Sequence, residues 1–362
     1  MSVDALSSFR VTTGTRASGA FALVAAALIV IAFAAPLFVS RSVIQNLFFI
    51  LTMLALAQNW NLLAGYAGLV SVGQQAFVGI GAYAMFGAVI LGGMDPVAAI
   101  AVGGVAAVLL AIPTAFFVFR LYGAYFAIGT WVIAEVARLV VAQWKSLGGG
   151  TGTSLPRDAT RSIWGQEAVA ALFGVRGPHA ADIVSYWLAL VLVIATIGFI
   201  YRLLRSRQGL GLAAVRDNQD AARSVGVDAL RLKTLVYLAA AFGTGLVGAL
   251  IYVQKARISP DAAFSVVDWT AYVIFIVVIG GIGTIEGPIV GIIVLFLLQN
   301  ALSDYGSWYL LLLGLIGIAV MLFAPRGLWG FFADRTGIEL FPVRRNLIVA
   351  PGATPDKGGP HG

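Results

Sequence analysis

The chain has 362 residues, of which 60% are hydrophobic and only 11% are Asp, Glu, Lys or Arg. A soluble globular protein carries about 25% charged residues, so these charges are too few to cover a water-exposed surface of this size. The mean hydropathy of +0.94 is also far above a soluble value. The composition therefore excludes a soluble or disordered chain. It predicts an all-α membrane protein, a polytopic bundle of transmembrane helices.

Metal, cofactor and catalytic chemistry find no support in the sequence. Cysteine is absent, and the two histidines, His179 and His361, stand in no cluster of carboxylates, so we predict no metal and no cofactor. None of the four lysines closes a phosphate-binding P-loop, and no other catalytic motif is present, so the chain is not predicted to be an enzyme. The net charge of +7 fits basic cytoplasmic loops better than nucleic-acid binding, because no basic run alternates with aromatic residues.

The apolar segments follow one another along nearly the whole chain. A hydrocarbon core about 30 Å thick needs about 20 apolar residues of helix. This window finds about ten candidate spans, which are 20–39, 43–63, 74–91, 97–119, 122–142, 183–203, 234–254, 267–284, 287–302 and 308–325. The third and ninth are the shortest, and both are flanked by glycines.

Basic residues set the predicted orientation. With ten spans, the segments rich in Arg and Lys all fall on one side, which the positive-inside rule makes cytoplasmic. We therefore predict a cytoplasmic N-terminus at 1–19, a membrane domain at 20–325 and a cytoplasmic tail at 326–362. The membrane domain contains an outer loop at 143–182 and a cytoplasmic loop at 204–233. The last dozen residues of the tail are predicted to be disordered. Arg16 and the apolar run to Ala34 could also form a signal peptide. An uncleaved first helix is favoured, because the run is long and the other loops fit it.

A first cluster of glycine and polar residues interrupts the second and third apolar segments. Glycine at this density disfavours continuous helix, and broken helix at membrane depth occurs only where protein or a watery cavity meets the freed backbone groups. Lining of a substrate pathway and close helix packing through small residues both explain the pattern. The cluster comprises Asn59, Asn61, Gly65, Gly68, Ser71, Gly73, Gln74, Gly79 and Gly81.

A second cluster comes late in the chain and contains Gly280, Gly281 and Gly283, followed by Gly287 and Pro288. Proline suits the first turn of a helix, where its missing N–H costs little. The pattern predicts a tight turn between two membrane helices that approach each other closely.

The cytoplasmic loop contains a short capped helix. We expect Asp217 to cap its N-terminus, Asp220 to act as the acid of a capping box, and Gly226 to close it in the left-handed conformation. A rigid helix in a loop favours docking onto a partner over a merely structural connection. The segment comprises Arg216, Asp217, Asn218, Asp220, Ala221, Ala222, Arg223 and Gly226.

Glu135 and Arg138 are three residues apart in the fifth span, so they are expected to pair on one face of the helix. The pair is interpreted as structural, because it lies near the outer end of the span, where contact with water is easy.

Together these motifs resemble the permease family of bacterial ABC importers for branched-chain amino acids. The resemblance covers about residues 45–330, and two stretches, 125–130 and 148–152, are similar to its longer, LivM-like branch. It rests on the first cluster with Asn61, Gly65, Gly68, Ser71 and Gly73, on the loop with Arg216, Asp217, Asn218, Ala221, Ala222 and Gly226, and on Gly280-Gly281-Ile282-Gly283-Thr284 with Gly287-Pro288.

The resemblance implies a multi-pass permease in the bacterial inner membrane, with partners that are a second homologous permease chain, two P-loop ATPase subunits and a periplasmic substrate-binding protein. It implies that residues 216–226 seat in the ATPase and that the two glycine clusters shape the pathway. Related permeases carry urea or amides, and no residue decides between these cargoes. A self-contained secondary transporter would need an acidic relay, for which Glu135 is the only clear intramembrane candidate.

Overall fold

The computed structural model describes residues 9–12, 16–161, 163–302, 306, 308–337, 340–343 and 346–349. Within these ranges the chain is a bundle of α-helices with two short two-stranded antiparallel sheets. The tail end at 351–362, predicted to be disordered, lies outside the described residues.

The first half of the chain forms two β-strands and seven helices among the described residues. They are β1 (Phe9–Thr12), α1 (Arg16–Ala34), α2 (Arg41–Asn61), α3 (Gln74–Ile90), α4 (Pro96–Val118), α5 (Ala124–Ala142), β2 (Thr153–Ser154), α6 (Arg157–Arg161) and α7 (Gln166–Phe173).

The second half contains the longest helices. Its described elements are α8 (Gly177–Arg205), α9 (Arg207–Asp217), α10 (Gln219–Ser224), α11 (Ala229–Lys255), β3 (Arg257–Ile258), α12 (Pro260–Ala263), α13 (Tyr272–Gly280), α14 (Glu286–Leu302), α15 (Trp308–Phe323), α16 (Gly327–Thr336) and β4 (Asn346–Val349).

The predicted spans correspond to helices one for one. Among the described residues, seven helical segments are long and apolar enough to cross a membrane, and three shorter apolar helices account for the remaining predicted spans. The short ones are Leu23–Leu37, Gln74–Ile90 and Glu286–Leu302. The last two begin directly after non-helical stretches within or beside the glycine clusters, which explains their length.

Small residues let α3, α4 and α11 cross closely in the middle of the bundle. A Cβ atom at Gly103 would lie 2.5 Å from the carbonyl oxygen of Gly81, and one at Gly245 would lie 2.8 Å from the carbonyl oxygen of Gly103. Such contacts are typical of membrane helices, which pack through Gly and Ala because burial of apolar surface adds little in lipid. By contrast, the segment Leu310–Thr336 packs little against the rest of the chain, since only 11% of its apolar 18-residue stretch is buried.

The connections divide between two ends of the bundle. We call the end formed by connections 62–73, 119–123, 206–228 and 281–285 and by residues 324–343 the basic end. A cavity there brings Tyr66, Arg216, Glu286 and Phe341 together. Strands β1 and β4, from the two terminal segments, pair with each other.

The other end, which we call the opposite end, contains connections 91–95, 143–176 and 256–266. Strand β2 pairs with β3, and the backbone N–H of Trp164 donates to Asp95 Oδ2 at 2.9 Å. Arg41 Nε lies 2.5 Å from Asp182 Oδ2. These contacts join only segments that the ten-span prediction places on one side.

Helices α13 and α14 should tolerate no side chain at Gly291. A Cβ atom there would overlap the carbonyl oxygen of Ile276, so Gly291→Val is expected to lower the free energy of unfolding by at least about 2 kcal/mol. The thermal midpoint of the purified protein in detergent measures this. Gly314→Val is the control, because no described atom lies within 4 Å of its Cβ position. Equal midpoints for the two variants would contradict the observed packing.

Candidate functional site at the basic end

A cavity at the basic end has a volume of about 860 Å³. Its walls come from the end of α2, from α9, from the turn between α13 and α14, and from α16 with the chain that follows it. Arg216, Gly283 and Glu286 are among the lining residues. The loop and the second glycine cluster, both singled out in the sequence, therefore border one space.

The cytoplasmic loop of the prediction folds as two short helices. The Ser206 hydroxyl caps α9, accepting from the N–H of Gln208 at 3.1 Å. The Asn218 side chain caps α10, accepting from the N–H groups of Asp220 and Ala221 at 3.0 Å each. Because α9 extends through residue 217, the predicted cap at Asp217 is wrong, and the next residue takes that role.

The predicted end of this helix is confirmed, since Gly226 has a φ of +87° and follows Val225, the C-cap of α10. The predicted capping box is wrong, because Asp220 instead lies 3.7 Å from Arg223 across one turn. With Asn218 as the cap, residue 220 is the second helical residue rather than the third, which a capping box requires.

Helix α10 is anchored on one side and exposed on the other. Ala222 packs with Val215 and Ala229, and Lys233 Nζ donates to Gln219 Oε1 at 2.5 Å. The exposed side ends in Val225, an apolar side chain with 76% of its surface exposed. The exposed members of the predicted segment are Arg216, Asp217, Asn218, Asp220, Ala221, Arg223 and Gly226.

The cap at Asn218 should matter for the order of this segment. A helix of six residues is marginal in water, so Asn218→Ala is expected to cost about 1 kcal/mol of local stability. Faster hydrogen exchange of the α10 amides would report the loss. Asn218→Asp retains a capping oxygen and is the matched control, and protection that is equal in both variants would contradict the capping role.

The first glycine cluster breaks the helix as predicted. Helix α2 continues as a π-helix over Leu62–Tyr66, and residues 68–73 are not helical. Trp60 Nε1 donates to the Ser71 carbonyl at 2.7 Å, and the N–H of Val72 donates to Thr130 Oγ1 at 3.1 Å. The freed backbone is thus bonded within the protein.

Helix α3 begins inside the bundle. Gln74 Nε2 donates to Thr244 Oγ1 at 2.6 Å, and Thr244 lies near the middle of α11. The three glycines around the start of α3 pack so closely against neighbouring groups that none has room for a side chain. A Cβ atom at Gly73 would overlap Thr130, one at Gly79 would overlap the ring of Phe264, and one at Gly81 would overlap Gly245. Close packing is therefore one established role of these positions.

The two glycine clusters contact each other directly. Asn61 Nδ2 donates to the Thr284 carbonyl at 2.8 Å, and its Oδ1 accepts from the N–H of Gly283 at 2.8 Å. Gln58 Nε2 donates to the Ile285 carbonyl at 2.7 Å. We call Gln58 and Asn61 the amide clamp, since together they hold the turn between α13 and α14.

Two predicted glycines let the turn approach the clamp. A Cβ atom at Gly65 would lie 2.6 Å from the Gly283 nitrogen, and the φ of Gly283 is +77°. Gly281 has a φ of +136°, and a Cβ atom at Gly280 would overlap the Gly287 carbonyl. The tight turn and the close approach of the two helices are confirmed.

Arg216 links the loop to this turn. A Cβ atom built on Gly283 would lie 2.8 Å from Arg216 Nη1, so the guanidinium rests against the turn. Asn59 and Gln74 do not reach the cavity, because Asn59 packs against Gly243 and bonds the Ala55 carbonyl. Gly68 is exposed, with a φ of +69°.

The sequence pattern did not single out the C-terminal wall of the cavity. The N–H of Phe341 donates to Glu286 Oε1 at 2.9 Å, and Trp329 of α16 lines the same space. An apolar stretch before Arg335, after the last predicted span, was the available signal for α16.

A bundle of apolar helices with interrupted helices in its interior and a capped helix exposed at one end is typical of membrane transport proteins. Comparison with known proteins agrees. The family model described as the permease component of the branched-chain amino acid transport system matches residues 40–325. The chain belongs to this family.

Curated relatives carry the same description. The high-affinity branched-chain amino acid transport system permease protein LivM of Escherichia coli (strain K12) is 28% identical over 315 residues, covering 83% of this chain and 73% of the relative. LivM of Salmonella typhimurium gives the same values. A probable LivM of Methanocaldococcus jannaschii is 27% identical over 147 residues, 38% of this chain and 42% of its own length. No solved structure matches the chain significantly.

Proposed function

We propose that the chain is the transmembrane permease subunit of an ATP-driven ABC importer for branched-chain amino acids. The observation that carries this proposal is the contact of Arg216 with the turn held by the amide clamp, at the end where α10 is exposed. It gives a short physical connection from a docking helix to the broken helices of the membrane domain. The chain itself has no catalytic role, and partner subunits hydrolyse ATP.

Residues 216–226 act as the coupling segment that seats in an ATPase subunit. The exposed Val225 and the charged side chains around it form the contact surface, while buried Ala222 fixes α10 to the bundle. Closure of two ATPase subunits pushes α10, and Arg216 passes the displacement to the turn at 281–285. The amide clamp then moves α2 together with α13 and α14.

The two glycine clusters shape the translocation pathway through this motion. Their members are mostly buried, and the hinge-like elements among them are the π-helix, the extended stretch before Gln74, and the turn with Gly281 and Gly283. Movement of the half-helix α3, whose N-terminus lies beside Thr244, opens the way for the cargo. Irregular backbone at this depth is typical of transporters.

The remaining partners are a second homologous permease chain and a periplasmic substrate-binding protein. The binding protein docks on the opposite end, where Trp164 and Leu172 are each 76% exposed outside the membrane spans. The chain then lies in the bacterial inner membrane with both termini in the cytoplasm. Pairing of β1 with β4 supports a shared side for the two termini.

Copurification from the native host tests this proposal. Gentle solubilisation of the tagged chain should recover P-loop ATPases and a second permease, and proteoliposomes of the complex with its binding protein should import leucine only with ATP. Import of urea or an amide in place of leucine would change the cargo and keep the architecture. Transport by the chain alone without ATP would overturn the proposal in favour of a secondary transporter.

A further inference from the structure

Helix α5 is a membrane span with two charged side chains on its exposed side. Arg138 Nη2 lies 2.6 Å from Glu135 Oε1, and the two side chains remain 25% and 48% exposed. Arg138 Nη1 also lies 2.7 Å from Asp261 Oδ1 of α12, whose side chain is 83% exposed. Two carboxylates thus share one guanidinium, and the trio carries a net charge of −1.

Contact with lipid is unfavourable for this charged face of α5. At 1.5 Å per residue, Glu135 lies about 10 Å along the helix from its end at Ala142, one turn deeper than Arg138. Arg138 reaches Asp261 of the opposite end. The Arg138 Nε and Nη2 groups nevertheless bind the Glu135 carboxylate at the depth of residue 135 along α5. Charged residues within membrane spans face the bundle interior or a water-filled cavity. Glu135 is therefore expected to face a partner chain or a water-filled space, rather than lipid, in the assembled protein.

The chemistry of the face matches a hydrophobic amino acid. Ile128, Trp131 and Val132 are each about half exposed and, by helical spacing, lie on the same face of α5 as Glu135. A guanidinium has five N–H donors, and Arg138 uses three in the bonds described above, so two remain for a carboxylate. The two carboxylates can accept from an ammonium group, and the apolar side chains can contact an aliphatic one.

We propose that the exposed face of α5 lines the translocation pathway and that Glu135, Arg138 and Asp261 bind the ammonium and carboxylate groups of the cargo near the outer mouth. This inference rests on the proposed function and adds a cargo-contact site to it. It also replaces the interpretation of Glu135 and Arg138 as a purely structural pair.

Thiol accessibility tests whether water faces α5. The chain contains no cysteine, so Val132→Cys creates a unique thiol. The native Val132 side chain is 52% exposed and lies one turn from Glu135. In the complete importer, a charged, membrane-impermeant methanethiosulfonate should modify it at least about tenfold faster than a lipid-facing thiol, because only a thiolate in water reacts. Met321→Cys on α15, where the native side chain is 59% exposed, is the matched control. Added leucine and binding protein should slow the reaction at Val132→Cys. Equal, slow rates at both positions would overturn the inference.

Uptake by Glu135→Gln tests the site itself. With saturating leucine-loaded binding protein and equal amounts of complex in the membrane, maximal leucine uptake is expected to fall about tenfold, and Glu135→Asp should restore most of it. Unchanged uptake by Glu135→Gln would show that the pair is only structural. Failure of the unmodified importer to carry leucine would instead contradict the proposed function.

Discussion

Gly226→Trp should abolish transport while the protein still inserts and folds. The residue closes α10 with a φ of +87°, and within the described part of the chain no atom lies within 4 Å of the position of its Cβ. An indole there meets open space in this chain, so beyond the strain of a side chain at this positive φ it obstructs only a docked partner. A bulky group at the centre of an interface typically costs several kcal/mol, and ATP-driven leucine uptake is expected to fall at least about 100-fold.

The matched control is Gly226→Asn, since asparagine tolerates the left-handed conformation better than other side chains with a Cβ. It should retain most of the uptake, and both variants should reach the membrane in equal amounts. Uptake by Gly226→Trp close to that of the unmodified protein would remove the docking role of residues 216–226.

Asn61→Ala should uncouple transport from ATP hydrolysis and destabilise the membrane domain. The side chain is fully buried and makes two hydrogen bonds to the turn, to the Gly283 nitrogen and the Thr284 carbonyl. Removal leaves both backbone groups without this partner, which is expected to cost about 2–4 kcal/mol. The thermal midpoint should fall, and the ratio of leucine imported to ATP hydrolysed should fall with it.

Thr52→Ala serves as the control on the same helix. Thr52 is also buried, but within the described part of the chain its hydroxyl bonds only to carbonyls of α2, those of Phe48 and Phe49. Its loss should leave the transport ratio unchanged. An Asn61→Ala variant that keeps a normal ratio of import to hydrolysis would contradict the role of the amide clamp.

Local chemistry made most of the fold predictable. Apolar length located ten apolar helices, seven of them long enough to cross a membrane, because a helix that crosses the hydrocarbon core must be apolar along its length. Glycine density located the break before Gln74 and the turn at Gly281, since both require backbone that other residues disfavour. Gly226 was predicted as the helix end for the same reason, and its φ is positive.

Tertiary contacts account for what the sequence did not reveal. Asn61 and Gly283 are 222 positions apart, and no local pattern indicates that an amide side chain bonds a distant turn. Asn218 rather than Asp217 caps α10, because α9, which was not predicted, extends through residue 217. The exposure of Glu135 could not be read from a spacing of three residues, which indicates only that it pairs with Arg138.

Site-specific crosslinking tests the central claim that the basic end docks an ATPase and the opposite end docks the binding protein. A photoreactive amino acid would replace Ala221, exposed on α10, or Trp164, exposed on the opposite end, in the complete importer. The probe at 221 is expected to capture the ATPase subunit, and the probe at 164 is expected to capture the binding protein. Capture of the binding protein at 221, or of no ATPase there while the complex imports leucine, would contradict this claim.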